Sequence, residues 1–350
     1  MIAGLNCDPR NFGDYDALAR DLRDAGATMA RFPLVDAADP RIYGAFCDAL
    51  LVLGLQPLPV YARESKLAGE DHAGSIGWWS GYLSNVTHWQ IGNEADHVSP
   101  SSWTMPESEF SQLLQTARKM LHPGCFIVAG AMVSGNPAYL DGVDLGPVDA
   151  IAIHGYGQRP DGYRGPGWGF GWLSDLYRNY ERFGKPVWGT EYGGTVDIGS
   201  GQFKTEGIFD DDTDRADYYG RYLQTFARAG GAACFPFKYE DEGVPGYGMR
   251  GTPTLAAVSE QIRRLTPEIP IPPPQIGETP MEPFRGTIEQ WLADHPDRRL
   301  WKPPTGPLIR IRGSGTSAEQ TAWLDNDNPK IWDRLVREGG YVWTERVYPN

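Results

Sequence analysis

His88-Trp89-Gln90-Ile91-Gly92-Asn93-Glu94 and, nearly one hundred residues later, Lys185-Pro186-Val187-Trp188-Gly189-Thr190-Glu191 are the stretches on which the reading of this chain turns. Each is a short, largely apolar run that closes on a glutamate and then enters a loop. Placing a carboxylate at the C-terminal tip of a parallel strand is the way barrel enzymes present reactive groups on one face. A single glutamate at a strand end is more often a solvated loop residue. The question is whether the rest of the chain brings these two to one place.

On either side of them the sequence alternates strand and helix signals from residue 2 to about 265. Strand patterns cover Ile2–Cys7, Thr28–Leu34, Leu55–Tyr61, Val86–Glu94, Cys125–Val133, Val148–His154, Pro186–Glu191 and Ala232–Lys238. Between them, apolar residues recur at helical spacing, as in Tyr15, Leu18, Ala19 and Leu22,. Further helices are expected over Pro40–Leu53, around Trp78 to Tyr82, and over Glu107–Leu121, Trp172–Phe183, Asp214–Ala229 and Thr254–Leu265. Glycine or proline follows several of them as a stop signal. Residues between the fifth and sixth strands suggest only a brief turn or helix reaching Leu145. Eight strand–helix units of this length predict an α/β fold, a (β/α)8 TIM barrel over residues 1–265. An open doubly wound sheet is the competing arrangement, but no Gly-rich dinucleotide turn follows the first strand. In this count the two glutamates stand on strands 4 and 7.

Residues 266–283 hold seven prolines in eighteen positions, including Pro272-Pro273-Pro274. Such a run favours extended polyproline geometry and reads as a Pro-rich linker. Residues 284–350 form a small α+β C-terminal unit. Helices are expected over Ile288–Ala293, Ala318–Leu324 and Lys330–Arg337, and strands over Leu308–Arg312 and Tyr341–Val347. Five of the twelve tryptophans fall there (Trp291, Trp301, Trp323, Trp332, Trp343). They read either as the core of a small appendage or as the sugar-stacking face of a carbohydrate-binding module. A unit this short must bury its largest apolar groups to fold, which favours the core.

Composition narrows the partners. The net charge of −13 argues against nucleic acid,. From Phe284 to Asn350 there are ten basic and nine acidic residues, so the negative charge lies ahead of that point. No apolar run reaches the roughly 20 residues that span a bilayer, so no membrane partner is expected. The N-terminal Met1-Ile2-Ala3-Gly4-Leu5-Asn6 lacks the pattern of a signal peptide. That suggests a cytoplasmic protein, one released by lysis or carried on a virion, or one whose leader has been removed. The cysteines Cys7, Cys47, Cys125 and Cys234 have no CxxC or metal spacing and read as buried, inert thiols,. The six histidines show no HxH pattern, which disfavours a metal-dependent hydrolase, and no metal or cofactor is expected,.

Taken with their strand positions, Asn93-Glu94 and Glu191 resemble the motifs of clan A, the retaining glycoside hydrolases built on a (β/α)8 barrel. That clan carries Asn-Glu at the end of strand 4 and Glu at the end of strand 7. The resemblance covers residues 1–265 and implies a retaining glycoside hydrolase acting on an oligo- or polysaccharide, with Glu94 as acid/base and Glu191 as nucleophile. Such chemistry needs one carboxyl group protonated and one ionised at the same pH. The clan also has a strand 2 arginine and a strand 6 His or Tyr, matched here by Arg31 and by His154-Gly155-Tyr156. The resemblance further implies that Asn93 binds the sugar 2-hydroxyl. A departure occurs at strand 8, where the clan places a tryptophan beneath the sugar and this chain reads Phe235-Pro236-Phe237-Lys238-Tyr239. Lys238 or Tyr239 is the candidate for that position, and a lysine there would suit an anionic or N-acylated sugar. Trp168, with Phe170, Trp172, Trp78, Trp79 and Trp103, is a candidate wall for the sugar site. Strict alternation predicts that Gly92 and Gly189 point inward, one layer beneath the two carboxylates. The function competing with an enzyme is a non-catalytic carbohydrate-binding barrel in a cell-surface or virion assembly. A pure binder has no need of two carboxylates.

Overall fold

The computed structural model describes residues 1–96, 105–132, 137–163, 171–196, 208–209, 211–240 and 247–265. Beyond these it describes 284–285, 287–294, 309–312, 319–323, 332–338 and 341–347. The chain divides into two compact units, Met1–Pro274 and Gln275–Asn350.

The first unit contains a closed barrel of eight strands: β1 (Ile2–Asn6), β2 (Met29–Pro33), β3 (Gln56–Tyr61), β4 (His88–Ile91), β5 (Phe126–Ala129), β6 (Ala150–His154), β7 (Val187–Tyr192) and β8 (Ala233–Pro236). Every neighbouring pair is parallel, and β8 closes onto β1 through Ile2–Ala233 and Ala3–Cys234. Helices follow most strands: α1 (Tyr15–Asp24), α2 (Pro40–Val52), α3 (His72–Tyr82), α4 (Glu107–Met120), α5 (Leu173–Glu181), α6 (Asp212–Arg228) and α7 (Pro253–Leu265). Between β5 and β6 there is only a 3-10 turn, Pro137–Gly142. Four helices start on an aspartate whose carboxylate accepts backbone N–H bonds: Asp14, Asp39, Asp71 and Asp211. Each satisfies donors that the first turn leaves without a partner.

Alternation along the strands sorts the core into two apolar regions. Side chains such as Ala30, Phe32, Trp89, Ile91, Ile127, Ile151 and Ile153 face the helices and join one continuous cluster with them. Met29, Leu58, Val128, Ala150, Ala152, Trp188, Ala233 and Phe235 fill the barrel interior. There Phe126, Trp188 and Phe235 stack in series, with ring centroids 5.3 Å and 6.0 Å apart. Gly4 makes room for this filling, since a Cβ at that position would lie 2.1 Å from the Phe235 ring. The interior is a packed core up to the level of the strand tips, so a ligand can enter only above it.

All four cysteines are buried and free, and burial pushes the thiols of Cys7, Cys47 and Cys234 well up from their ordinary value. Trp79, expected as a wall of a sugar site, is fully buried on α3 against Tyr43, and Trp78 stacks on Tyr82 of the same helix. Both belong to the helical layer. No helix among the described residues is long and apolar enough to cross a membrane.

The second unit is a five-stranded sheet whose pairs are all antiparallel. Its order is Phe284–Arg285, Tyr341–Val347, Trp332–Glu338, Glu319–Trp323, Ile309–Arg312, with a short helix at Ile288–Asp294. The expected helices at 318–324 and 330–337 are therefore strands. Ala, Glu, Gln and Leu give these segments local helix preference, but each strand pairs along its length with neighbours, and that non-local pairing overrides propensity. The side chains of this unit's tryptophans lie outside what the structure describes.

Candidate active site

The C-terminal end of the barrel carries a layer of buried polar side chains above the apolar interior. Alternation puts Asn6, Arg31, Gln90 and His154 there, each two residues beyond an inward-facing position of its own strand. Arg31 is the centre of the layer and is almost fully buried. Its Nε donates to Gln90 Oε1 at 2.7 Å, and its Nη2 donates to Asn93 Oδ1 at 2.8 Å. Its Nη1 donates both to Asn6 Oδ1 and to Glu191 Oε1, each at 2.7 Å.

The two glutamates reach this layer by breaking the alternation, and in different ways. On β7, Ile153 pairs with Gly189 while His154 pairs with Glu191, so Thr190 is an extra residue. The β8 side shows the same insertion, between Cys234–Gly189 and Pro236–Tyr192. This bulge turns Glu191 inward although Trp188, three residues earlier, also faces in. Asn6 holds the bulge, donating from Nδ2 to the Thr190 carbonyl at 2.9 Å. On β4 the strand ends at Ile91, and Gly92 and Glu94 adopt φ of +85° and +51°. A positive φ is costly for glutamate, and such strain concentrates at functional sites.

The inward glycines expected from alternation are thereby corrected. A Cβ on Gly92 would lie 2.5 Å from the Phe110 ring of α4, and one on Gly189 would meet Phe226 of α6. Both positions face the helices, because the left-handed turn and the bulge each reset the pattern.

Glu191 is held from both sides. Arg31 grips Oε1, and Tyr156 donates its hydroxyl to Oε2 at 2.8 Å. Burial alone would push its carboxyl up, but the charges of His154 and Arg31, with the hydrogen bonds from Tyr156 and Arg31, hold it below its ordinary value. Burial and then the Glu191 charge push the Tyr156 hydroxyl well up, so it remains a donor. His154 sits between the carboxylates, with Nδ1 2.8 Å from Glu94 Oε1 and Nε2 3.5 Å from Glu191 Oε1. The imidazole is fully buried, whereas the Glu94 side chain keeps 24% of its surface open to solvent.

One ligand atom from each of Glu94, His154 and Glu191 lies within 4.8 Å of the others. These are also metal-ligand types, yet Glu191 already accepts from the Arg31 guanidinium, which opposes a second cation,. The arrangement suits two carboxyl groups acting from opposite sides of one bond.

Of the other expected residues, Asn93 and Tyr156 join this network, while Lys238 pairs with a different carboxylate. Its Nζ turns to Glu240 Oε1 at 3.2 Å, in a pocket where Glu240 also accepts from the Asp8 N–H. Burial, only partly offset by Lys238, raises the Glu240 carboxyl above its ordinary value. Phe237, half-buried, is the aromatic at the tip of β8, with its ring 6.1 Å from Tyr156 and 5.5 Å from Tyr247. Trp168, Phe170 and Trp103 lie outside the described residues. Asn6 and Gln90 were not singled out as site residues. Their signal was a polar side chain at an inward position near a strand's C-terminal end.

No family model matches this chain, and no curated protein matches it. Solved structures do. A GH113 β-1,4-mannanase superposes with a TM-score of 0.53 at 13% identity, covering 75% of this chain and 97% of that one. A family 39 glycoside hydrolase from the gut symbiont Bacteroides cellulosilyticus WH2 gives 0.55 at 16% identity, covering 99% and 79%. A GH5-4 broad specificity endoglucanase from Clostridum cellulovorans gives 0.54 at 12% identity, covering 76% and 94%. At these identities the likeness establishes the fold, the (β/α)8 barrel shared by the clan A glycoside hydrolases.

Proposed function

We propose that this chain is a retaining glycoside hydrolase that cleaves β-glycosidic bonds by double displacement, with Glu191 as nucleophile and Glu94 as acid and then base. The observation that carries the reading is the separation of the carboxyl groups, whose nearest oxygens lie within 4.8 Å. Retaining enzymes hold the pair about 5–5.5 Å apart, whereas inverting enzymes leave room for a water at about 6.5–9.5 Å. Glu191, kept ionised by Arg31 and Tyr156, attacks the anomeric carbon while Glu94 gives its proton to the departing oxygen. Glu94 then takes a proton from water, which releases the glycosyl group from Glu191. The Asn93 oxygen is committed to Arg31 and Gln90, so its amide N–H group is the part offered to a sugar hydroxyl.

Arg31 and Lys238 are each matched by a carboxylate, which favours an uncharged sugar at the cleavage point over an anionic one. The mannanase and endoglucanase among the similar folds put β-mannans and β-glucans first among substrates to try. The test is release of reducing ends from β-glucans, mannans, xylans, galactans, chitin and peptidoglycan, with Glu191→Gln beside wild type. Release that vanishes in the variant supports the reading. Silence on every glycan, with one of them still bound, would replace it with a carbohydrate-binding barrel. Glu94→Ala should slow substrates with poor leaving groups far more than activated aryl glycosides, which need little acid assistance. Equal losses on both would refute the role given to Glu94.

A further inference from the structure

Three large apolar side chains stand out as exposed among the described residues: Val52, Met120 and Trp172. Val52 and Met120 are the last residues of α2 and α4, on the face where helices end and strands begin. Trp172 is the residue before α5, at the opposite face, where the strand tips present Glu94 and Glu191. Its indole is 44% exposed. Singly exposed apolar residues are common on protein surfaces, so what distinguishes Trp172 is its position and its contacts.

The backbone at Trp172 is held on both sides. Arg159 N donates to the Gly171 carbonyl, and Leu173 N donates to the Arg159 carbonyl, each at 2.9 Å, so Trp172 is clamped beside Arg159. The fully buried Leu173 anchors the other side of the clamp. The Arg159 guanidinium lies 5.5 Å from the indole centroid, in reach of a cation–π contact,. Arg159 itself is three residues beyond Tyr156, the donor to Glu191, on the same loop. A partly open indole with a cation beside it, next to the loop that leaves the reacting centre, matches the C–H face of a pyranose ring.

We propose that Trp172 and Arg159 form a stacking platform for a sugar ring of the substrate chain other than the two joined by the cleaved bond. The platform rests on the glycosidase reading and adds that the substrate is an oligo- or polysaccharide chain engaged beyond the cleavage point. It predicts a dependence on chain length. Trp172→Ala lowers kcat/KM on a hexasaccharide of the cleaved glycan by roughly tenfold, equivalent to about 1.4 kcal/mol. The loss on an activated aryl monoglycoside is smaller, because a single sugar at the cleavage point does not extend to the platform. Trp172→Phe, which keeps a smaller ring, falls between the two.

Binding separates this proposal from the reading beneath it. Glu191→Gln and Glu191→Gln/Trp172→Ala are run through native gels containing soluble galactomannan or mixed-linkage β-glucan, with thermal melting to confirm folding. Retardation that is lost with Trp172→Ala supports the platform, whatever the activity panel gives. Unchanged retardation, or equal loss of kcat/KM on long and short substrates, overturns it. If Glu191→Gln retained turnover, the catalytic assignment would fail instead, and the gel result would still decide the platform.

Discussion

Replacing Tyr156 by phenylalanine removes one hydroxyl and almost no volume, and it isolates what holds Glu191, the proposed nucleophile, ionised. In the folded chain the hydroxyl donates to Glu191 Oε2 at 2.8 Å, while Arg31 serves Oε1. A hydrogen bond to a charged group contributes about 1.5–3 kcal/mol. Its loss therefore pushes the Glu191 carboxyl up from its depressed position, because one of the donors that holds the charged form is gone,. The sign follows from the donor favouring the charged form, so removing it makes protonation easier. An activated aryl β-glycoside is the right substrate, because its leaving group needs little help from Glu94. The acid limb of kcat/KM against pH then reports the nucleophile, and in Tyr156→Phe it moves to higher pH. Well above the limb the remaining loss reflects positioning alone. An acid limb that stays in place, or moves down, would refute the argument that Tyr156 stabilises the carboxylate.

Gly92→Ala places a Cβ at φ +85° and 2.5 Å from the Phe110 ring. The left-handed backbone costs about 1–2 kcal/mol and the overpacking about 1–3 kcal/mol more, so the denaturant midpoint should fall clearly; a stability within about 0.5 kcal/mol of wild type would show that the turn relaxes. Lys238→Met strands Glu240 in a buried site, which costs about 3–5 kcal/mol, and adding Glu240→Gln should recover part of it. Burial already lifts the Glu240 carboxyl in the fold, and loss of Lys238 lifts it further. A raised folded value gives stability that is present below the unfolded carboxylate range of about 4.3 and lost as pH rises, so the deficit in Tm should be larger at pH 8 than at pH 5. A deficit equal at both would deny that the charge is its cause.

The barrel was legible because its signals are local. Most units carry their own strand run, helical spacing and stop, and eight strands so spaced leave few other folds. The pair Glu94 and Glu191 was legible for the same reason, as glutamates at the ends of the fourth and seventh strands. What alternation could not give was the orientation at those ends. The Thr190 bulge depends on register with β6 and β8 together, and the Gly92 turn depends on packing against α4. Neither is written in the stretch that contains it. Lys238 pairs with Glu240, two residues on, and a sequence does not show which carboxylate a lysine will choose. The C-terminal helices failed more simply, as helix-forming residues drawn into a sheet by their neighbours.

The polar layer also explains why so many strand tips must be in register at once. The Arg31 guanidinium bonds to β1 through Asn6, to β4 through Gln90 and Asn93, and to β7 through Glu191. Asn6 in turn reaches the carbonyls of Thr190, Phe235 and Pro236, so it ties β1 to β7 and β8. A guanidinium buried this deeply is tolerable only because its donors are matched in fixed directions, and a lysine could not match them. The same bonds weaken the basicity of Glu191, which by itself would slow attack. In the role proposed for Glu191 they compensate by holding it ionised and aimed before substrate arrives, which would leave little reorganisation for the reaction itself. On this view the bulge, the left-handed glutamate and the buried arginine are one arrangement. Each is unfavourable alone, and each is stable because the other two fix its partners in place.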